Sequence, residues 1–249
     1  MIVASGPTGS GKSTSLYASL KEIKNDALNI TTVEDPVEYQ MDKINQVQVH
    51  ESIGLTFSSS LRSILRQDPD ILLIGEIRDE ETADIAVKFS LTGHLVFSTV
   101  HANDAASTIT RLLDIGIKPF LVGSCLNLVM AQRLVRTICK NCKEEYTPSQ
   151  EELDRIKLDK SRLNGKQLVH GKGCSQCRQT GFHGRTGIFE LIAMSRGIRG
   201  LIYDNSNEDE IRKKAVEDGM ITLRDCGIKK ALDGKTTISE VLRSTVEDL

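Results

Sequence analysis

Eight residues near the start of the chain, Gly6-Pro7-Thr8-Gly9-Ser10-Gly11-Lys12-Ser13, leave few folds open to it. They follow G-x-x-x-x-G-K-[ST], the loop that wraps a nucleotide triphosphate. The glycines let the backbone curl until successive N–H groups converge on phosphate oxygens. Such a loop needs a strand before it and a helix after it, because the helix dipole and its free N–H groups complete the anion cradle. Met1-Ile2-Val3-Ala4 supplies a short apolar strand. Leu16, Leu20 and Ile23, at i, i+4 and i+7, mark the helix. Residues Gly6, Pro7, Thr8, Gly9, Ser10, Gly11, Lys12, Ser13 and Thr14 are therefore the expected nucleotide-binding set. Lys12 is expected on the β- and γ-phosphates, and the Ser13 hydroxyl on Mg²⁺.

The rest of the first 138 residues alternates apolar strands with amphipathic helices, the pattern of a parallel sheet covered on both faces. Strands are predicted at Ile30–Val33, Ile71–Ile74 and Leu95–Val100, and helices at Thr56–Gln67, Glu80–Leu91 and Ala105–Leu113. A largely apolar helix is predicted from Pro119 to Ile138. Composition changes after that point. Residues 139–187 carry four cysteines and the turn glycines Gly171, Gly173, Gly181, Gly184 and Gly187. Ser149 with Glu152 forms a capping box there. From Ile188 to the end the text is helical, with starts at Thr222 and Thr237 and stops at Gly219 and Gly234. Three segments are expected: a nucleotide core at 1–138, a cysteine insert at 139–187 and a helical C-terminal subdomain at 188–249.

Hydrolysis at a phosphate loop needs carboxylates at the C-terminal ends of neighbouring strands. Glu34 and Glu38 flank Asp35-Pro36-Val37 after the second strand, where turn capping and a catalytic role are equally open readings. Glu76 closes Ile71-Leu72-Leu73-Ile74-Gly75, and a carboxylate ending so apolar a strand must be solvated by metal or water. His94 and His101 bracket the next strand. A histidine there is either a hydrogen-bonded structural residue or a donor that senses the γ-phosphate.

Taken in order, Gly6–Thr14, Glu34-Asp35-Pro36-Val37-Glu38-Tyr39, Asp68 to Asp79, and Thr92 to His101 resemble the Walker A, Asp, Walker B and His boxes of secretion ATPases. The match is to the type II secretion and type IV pilus assembly family, the GspE/PilB type. It continues through Gln132-Arg133-Leu134-Val135-Arg136, the four cysteines, Gly184 to Glu190 and Thr222-Leu223-Arg224, so it spans nearly the whole chain. The resemblance implies an α/β fold with a RecA-like P-loop core, ATP and Mg²⁺ as ligands, and a homo-hexameric ring. It makes Glu38 the water-orienting base, Glu76 the Walker B acid that holds Mg²⁺ through water, and His94 and His101 the His-box pair. It also implies a motor that pushes an inner-membrane platform protein from the cytoplasmic side, attached to the membrane only through partners. Family members carry an N-terminal domain that helps enclose the nucleotide and supplies arginines, and here the loop begins after five residues. Arg62, Arg66 and Arg78 lie near the motifs, where surface salt bridges are the simpler reading.

Cys139/Cys142 and Cys174/Cys177 form two C-x-x-C pairs. Thiolates are soft ligands, and two such knuckles complete a closed tetrahedral zinc site. The 31 residues between the pairs exceed the tightest zinc spacing, but the ligand count is right. A disulfide is disfavoured in a cytosolic chain, and a redox C-x-x-C normally comes singly. Zn²⁺ is expected in an architectural role. Cys125 and Cys226 are expected to be ordinary buried thiols.

A formal net charge of −2 argues against nucleic acid as the main ligand, since a phosphate-tracking surface carries a basic excess. With aromatics at 4% and no Trp, a base-stacking platform is not expected either. Those two features weigh against the rival reading of a RecA-like nucleic-acid translocating ATPase with zinc knuckles. A second rival, a nucleotide-binding fragment that turns over little, must explain why Lys12, Glu38 and Glu76 are all present. No apolar run reaches a membrane span and no leader opens the chain, so a cytoplasmic protein is expected.

Overall fold

The computed structural model describes residues 1–156 and 167–245, and the parts of the expected segments at 157–166 and 246–249 lie outside them. By compactness the chain forms two units, Met1–Ala131 with Leu191–Met220, and Gln132–Glu190 with Ile221–Leu249. The three segments expected from sequence cut across this division: residues 188–249 contribute to both units.

The first unit is built on parallel strands. β1 (Ile2–Ser5) pairs with β5 (Leu95–Val100) on one side and with β6 (Leu128–Ile138) on the other. β4 (Ile71–Ile74) pairs with β5 and with β2 (Ile30–Glu34), which pairs with β3 (Asn45–Gln48). With β9 (Phe182–Ala193) the sheet order is β3-β2-β4-β5-β1-β6-β9. β6 and β9 contribute Leu128–Ala131 and Leu191–Ala193 to this unit. The chain leaves β1 for strands on one side and returns on the other, which makes the C-terminal end of β1 a switch point where ligands bind.

Helices α1 (Lys12–Ile23), α2 (Phe57–Ile64), α3 (Glu80–Leu91) and α4 (Ala105–Asp114) appear where the sequence predicts them. Local chemistry fixes their starts. Thr56 accepts from the Ser59 N–H and Asp79 from the Thr82 N–H, and Glu80 and Glu81 add charge that favours the N-terminal dipole of α3. Leu16, Tyr17 and Leu20 of α1 pack against Ala4, Ile30, Ile71, Leu73 and Phe97 of the sheet. Each fully buried side chain of that kind contributes about 2 kcal/mol.

One prediction fails. The helix expected from Pro119 to Ile138 is a short helix, α5 (Pro119–Cys125), followed by β6. Leu126 is already extended, at φ −73° and ψ 136°. The apolar run has no Gly or Pro between the two elements, and β-branched Val129, Val135, Thr137 and Ile138 favour the strand. The helical text expected from Ile188 likewise begins later, because β9 runs to Ala193. After it come α7 (Arg196–Tyr203) and α8 (Glu208–Glu217), both in the first unit. Strand β3, polar and on the sheet edge, had no sequence signal.

The second unit holds the antiparallel pair β7 (Lys143–Tyr146) and β8 (Leu168–Gly171), with α6 (Gln150–Arg155), α9 (Leu223–Leu232) and α10 (Ile238–Ser244). The predicted capping box of α6 is present, with the Glu152 N–H donating to Ser149 Oγ at 3.2 Å and the Ser149 N–H to Glu152 Oε2 at 3.1 Å. Its core gathers Leu153, Ile156, Leu168, Ile228, Ala231, Ile238 and Val241. Buried Glu240 ties β6 to α10, accepting from the Arg136 N–H at 3.0 Å and its guanidinium at 2.6 Å, and from Arg243 at 2.9 Å.

Candidate active site and metal centre

The loop between β1 and α1 ends in a helix start unlike the others. Gly11 stands at the N-cap in the left-handed region, at φ 90° and ψ 17°, and no side chain bonds the first N–H groups of α1. Eight of the other nine described helices have a side-chain cap, and α5 has Pro119 in its first turn instead. Nor does α1 carry an acidic residue in its first turn. Open N–H groups without a competing carboxylate are what an anion needs. Within the loop the Ser10 N–H donates to Pro7 O at 3.1 Å, and Lys12 Nζ folds back on Gly6 O at 2.7 Å and Pro7 O at 3.2 Å. The Ser10 hydroxyl is buried with no hydrogen-bond partner among the described residues.

Two strands away, Glu76 follows β4 on the same edge of the sheet. The Gly75 N–H donates to Val33 O at 2.7 Å and the Ile77 N–H to Thr99 O at 2.9 Å, so the ends of β2 and β5 grip the segment. A Cβ on Gly75 would lie 3.2 Å from Glu34 Cα. Glu76 Oε1 is paired with Arg78, whose guanidinium is held above its ordinary pKa by that bond. Glu76 Oε2 is buried, accepts no hydrogen bond among the described residues, and has His101 Nε2 at 3.5 Å. A buried carboxylate oxygen without a donor fits a hydrated cation. The Ser13 hydroxyl likewise has no partner among the described residues, and it sits at the start of α1. These residues fit Mg²⁺.

The other acids and histidines separate. Glu34 is buried at the end of β2 and accepts from the Tyr17 hydroxyl, from Thr32 Oγ1 at 2.6 Å and from Gln46 Nε2 at 3.3 Å. Burial and that carboxylate push the Tyr17 phenol up. Glu34 is thus spent within the fold. Glu38 is exposed on the following loop; its backbone N–H faces the Tyr17 hydroxyl, and its carboxylate has no hydrogen bond or ion pair among the described residues. His101 ends β5 beside Glu76, whereas His94 precedes β5 on the opposite rim, roughly 20 Å away along the strand. There His94 stacks on Phe89 at 4.1 Å and meets Thr92 Oγ1 at 2.9 Å, so the expected pair is not brought together. Arg62 pairs with Glu81.

In the second unit the four cysteines converge. All four Sγ atoms lie within 4.8 Å of one another, with Cys139–Cys174 at 3.9 Å, Cys142–Cys177 at 3.8 Å and Cys174–Cys177 at 3.6 Å. A tetrahedron with Zn–S bonds of about 2.3 Å has edges of about 3.8 Å. These separations rule out disulfides, and the donor set fits Zn²⁺. The knuckles supply their own N–H donors: Gly173 to Cys142 Sγ at 3.3 Å, Cys174 to Cys177 Sγ at 3.2 Å and Gly181 to Cys177 Sγ at 3.3 Å. Gly171 and Gly181 must both be glycine, since a Cβ on Gly171 would fall 2.0 Å from Gly181 O. Burial opposes ionisation, yet the N–H groups of Cys174 and Gly181 and the neighbouring thiols hold Cys177 down to about 6. Burial and the adjacent sulfurs push Cys142 up to about 12. Of the remaining thiols, Cys125 is buried and pushed up to about 11, while Cys226, expected buried, is half-buried.

The family described as "Type II/IV secretion system protein" matches residues 1–243. This chain belongs to that family. The member sequence is 48% identical over 248 residues to the type II secretion system protein E of Pseudomonas aeruginosa, covering 100% of this chain and 49% of that protein. It is 48% identical over 247 residues to the type IV pilus assembly ATPase PilB of Thermus thermophilus, covering 99% of this chain and 28% of that protein. Among solved structures, the crystal structure of the pilus retraction motor PilT with bound ADP is similar, with a TM-score of 0.72 and 28% identity over 99% of this chain and 61% of that one. The chain therefore spans about half or less of the length of these relatives by sequence.

Proposed function

We propose that this family member is the ATP-hydrolysing motor region of a type IV pilus assembly or type II secretion pseudopilus machine. The observation that carries the reading is the uncapped start of α1, set behind the glycine loop at the switch point of the sheet. Family membership and the ADP named for the similar PilT structure support the choice of ligand.

Residues Gly6 to Thr14 bind the phosphates, with Lys12 exchanging its loop carbonyls for the β- and γ-oxygens. Ser13 and Glu76 hold Mg²⁺, which supplies charge neutralisation for the phosphates when bound. Glu38 orients the attacking water and takes up its proton as the oxygen bonds to the γ-phosphorus and the β–γ bridge breaks. His101 offers a donor beside Glu76. In this class of reaction, catalysis is positioning plus electrostatics. Cys139, Cys142, Cys174 and Cys177 hold a closed Zn²⁺ site at 139–187 with no open position, an architectural role. Among the described residues no helix is long and apolar enough to cross a membrane. In this reading homo-hexamers work in the cytoplasm against an inner-membrane platform protein, peripheral to the membrane and without nucleic acid. In the full-length protein, Lys12→Ala should abolish both ATP binding and turnover. Wild-type turnover from that variant would sink the assignment.

A further inference from the structure

The loop that carries Glu38 is held by a side chain the sequence did not flag. Gln46 on edge strand β3 accepts from the Met41 N–H at 2.6 Å, and its Nε2 donates towards Tyr39 O at 3.2 Å. The same Nε2 reaches Glu34 Oε1 at 3.3 Å and the Tyr17 hydroxyl at 3.4 Å. The partners fix which way the amide faces, since the Met41 N–H can only donate and the carboxylate and carbonyl can only accept. Nearby, the Val37 N–H donates to Gln48 Oε1 at 3.3 Å, and the rings of Tyr17 and Tyr39 meet edge-on at 4.8 Å.

These contacts join the Glu38 loop to a buried pair behind the phosphate loop. Tyr17 and Glu34 are buried: Tyr17 lies on α1 five residues beyond Lys12, and Glu34 abuts Gly75, the residue before Glu76. Their bonds are satisfied, so the pair is a rigid reference behind the phosphate loop. The Glu38 carboxylate, by contrast, has no partner among the described residues, so its place depends on the loop backbone, which meets the pair where the Glu38 N–H faces the Tyr17 hydroxyl and the Tyr39 ring packs on Tyr17. Gln46 bonds the rigid pair and that backbone at once.

We propose that Gln46 is a positioning residue for the reaction, fixing the Glu38 loop to the Tyr17–Glu34 pair behind the phosphate loop. The inference rests on Glu38 being the water-orienting carboxylate. Its consequence is specific: loss of Gln46 should misplace Glu38 and lower kcat while leaving nucleotide binding alone.

The test is a double-mutant cycle in the full-length protein, reading kcat, KM for ATP, equilibrium ATP affinity and melting temperature for Gln46→Met, Glu38→Gln and the pair. Displacement of a positioned group by about 1 Å costs up to about 100-fold, so Gln46→Met should lower kcat by about ten-fold or more. KM and affinity should stay within about two-fold, and the substitution should cost nothing further in the Glu38→Gln background, because its effect acts through Glu38. Gln48→Met, on the exposed edge strand, should lower kcat by about three-fold in the same conditional way. It decides the matter if Gln46→Met does not fold. Unchanged kcat in both variants, or an equal loss with and without Glu38, overturns the proposal. Wild-type turnover from Glu38→Gln alone instead overturns the role of Glu38, and the two failures are told apart by which variant shows them.

Discussion

The two sites of this chain are built on opposite principles. Around the cysteines each donor has a partner: the sulfurs face one another, their own knuckles supply N–H groups, and glycines let the backbone close in. Around the phosphate loop, groups are left open. The first N–H groups of α1 lack a cap, the Ser10 hydroxyl is buried without a partner, and Glu76 Oε2 is buried without a donor. A closed donor set suits a metal that stays, and an open one suits ligands that come and go. In the proposed function the closed set is the architectural site and the open set the chemical one.

The contrast can be broken most sharply at the closed site. Structural zinc contributes roughly 10 kcal/mol or more to folding, so a strong chelator or Cys177→Ser should unfold the second unit, read by amide exchange of β7, β8 and α9. Full protection of those amides without metal would erase the distinction. A smaller test asks whether the same unit leans on its other buried polar tie. Arg136→Met leaves Glu240 short of a partner and should cost about 3 kcal/mol in denaturant unfolding.

The pH dependence of that tie follows from its chemistry. Burial alone would raise the Glu240 carboxyl, but bonds from Arg136 and Arg243 hold it down to about 2, below its ordinary value of 4.5. The unfolded chain therefore takes up that proton first as pH falls. The stabilisation is fully present above 4.5 and fades as pH drops towards 2, and an acid melt of Glu240→Gln should lack that part of the slope.

At the open site a ligand should add stability. ATP with Mg²⁺ at a hundred-fold excess over Kd should add about 2.7 kcal/mol to the first unit, and Lys12→Ala should remove that gain. The smallest effect belongs to an ordinary capped helix. Asn207→Ala at the start of α8 should cost about 1 kcal/mol and leave ATP affinity unchanged. A loss of affinity there would mean that helix starts other than α1 take part in binding.

Much of this was legible in the text of the chain. Lys12, Glu76 and the four cysteines sit in patterns set by local chemistry, and so do caps such as Thr56, Asp79 and Ser149. What was not legible depends on distant partners. β6 looks helical in sequence because no Gly or Pro separates it from α5, and its β-branched residues tip it to strand once it pairs with β1. β3 is polar and exposed, so no periodicity announces it, yet it carries Gln46. Glu34 and Glu38 look alike in sequence, and only burial with the Tyr17, Thr32 and Gln46 donors tells the first carboxylate from the second. His94 and His101 bracket β5 in the sequence, but only the fold shows that His101 is the one beside Glu76.

The central claim, that the open site is a hydrolytic one, is tested most directly by Glu76→Gln, with equilibrium ATP binding and steady-state turnover measured side by side in the presence of Mg²⁺. The account predicts near wild-type ATP affinity and a loss of turnover of roughly 100-fold or more. Turnover at the wild-type rate with binding intact would contradict it.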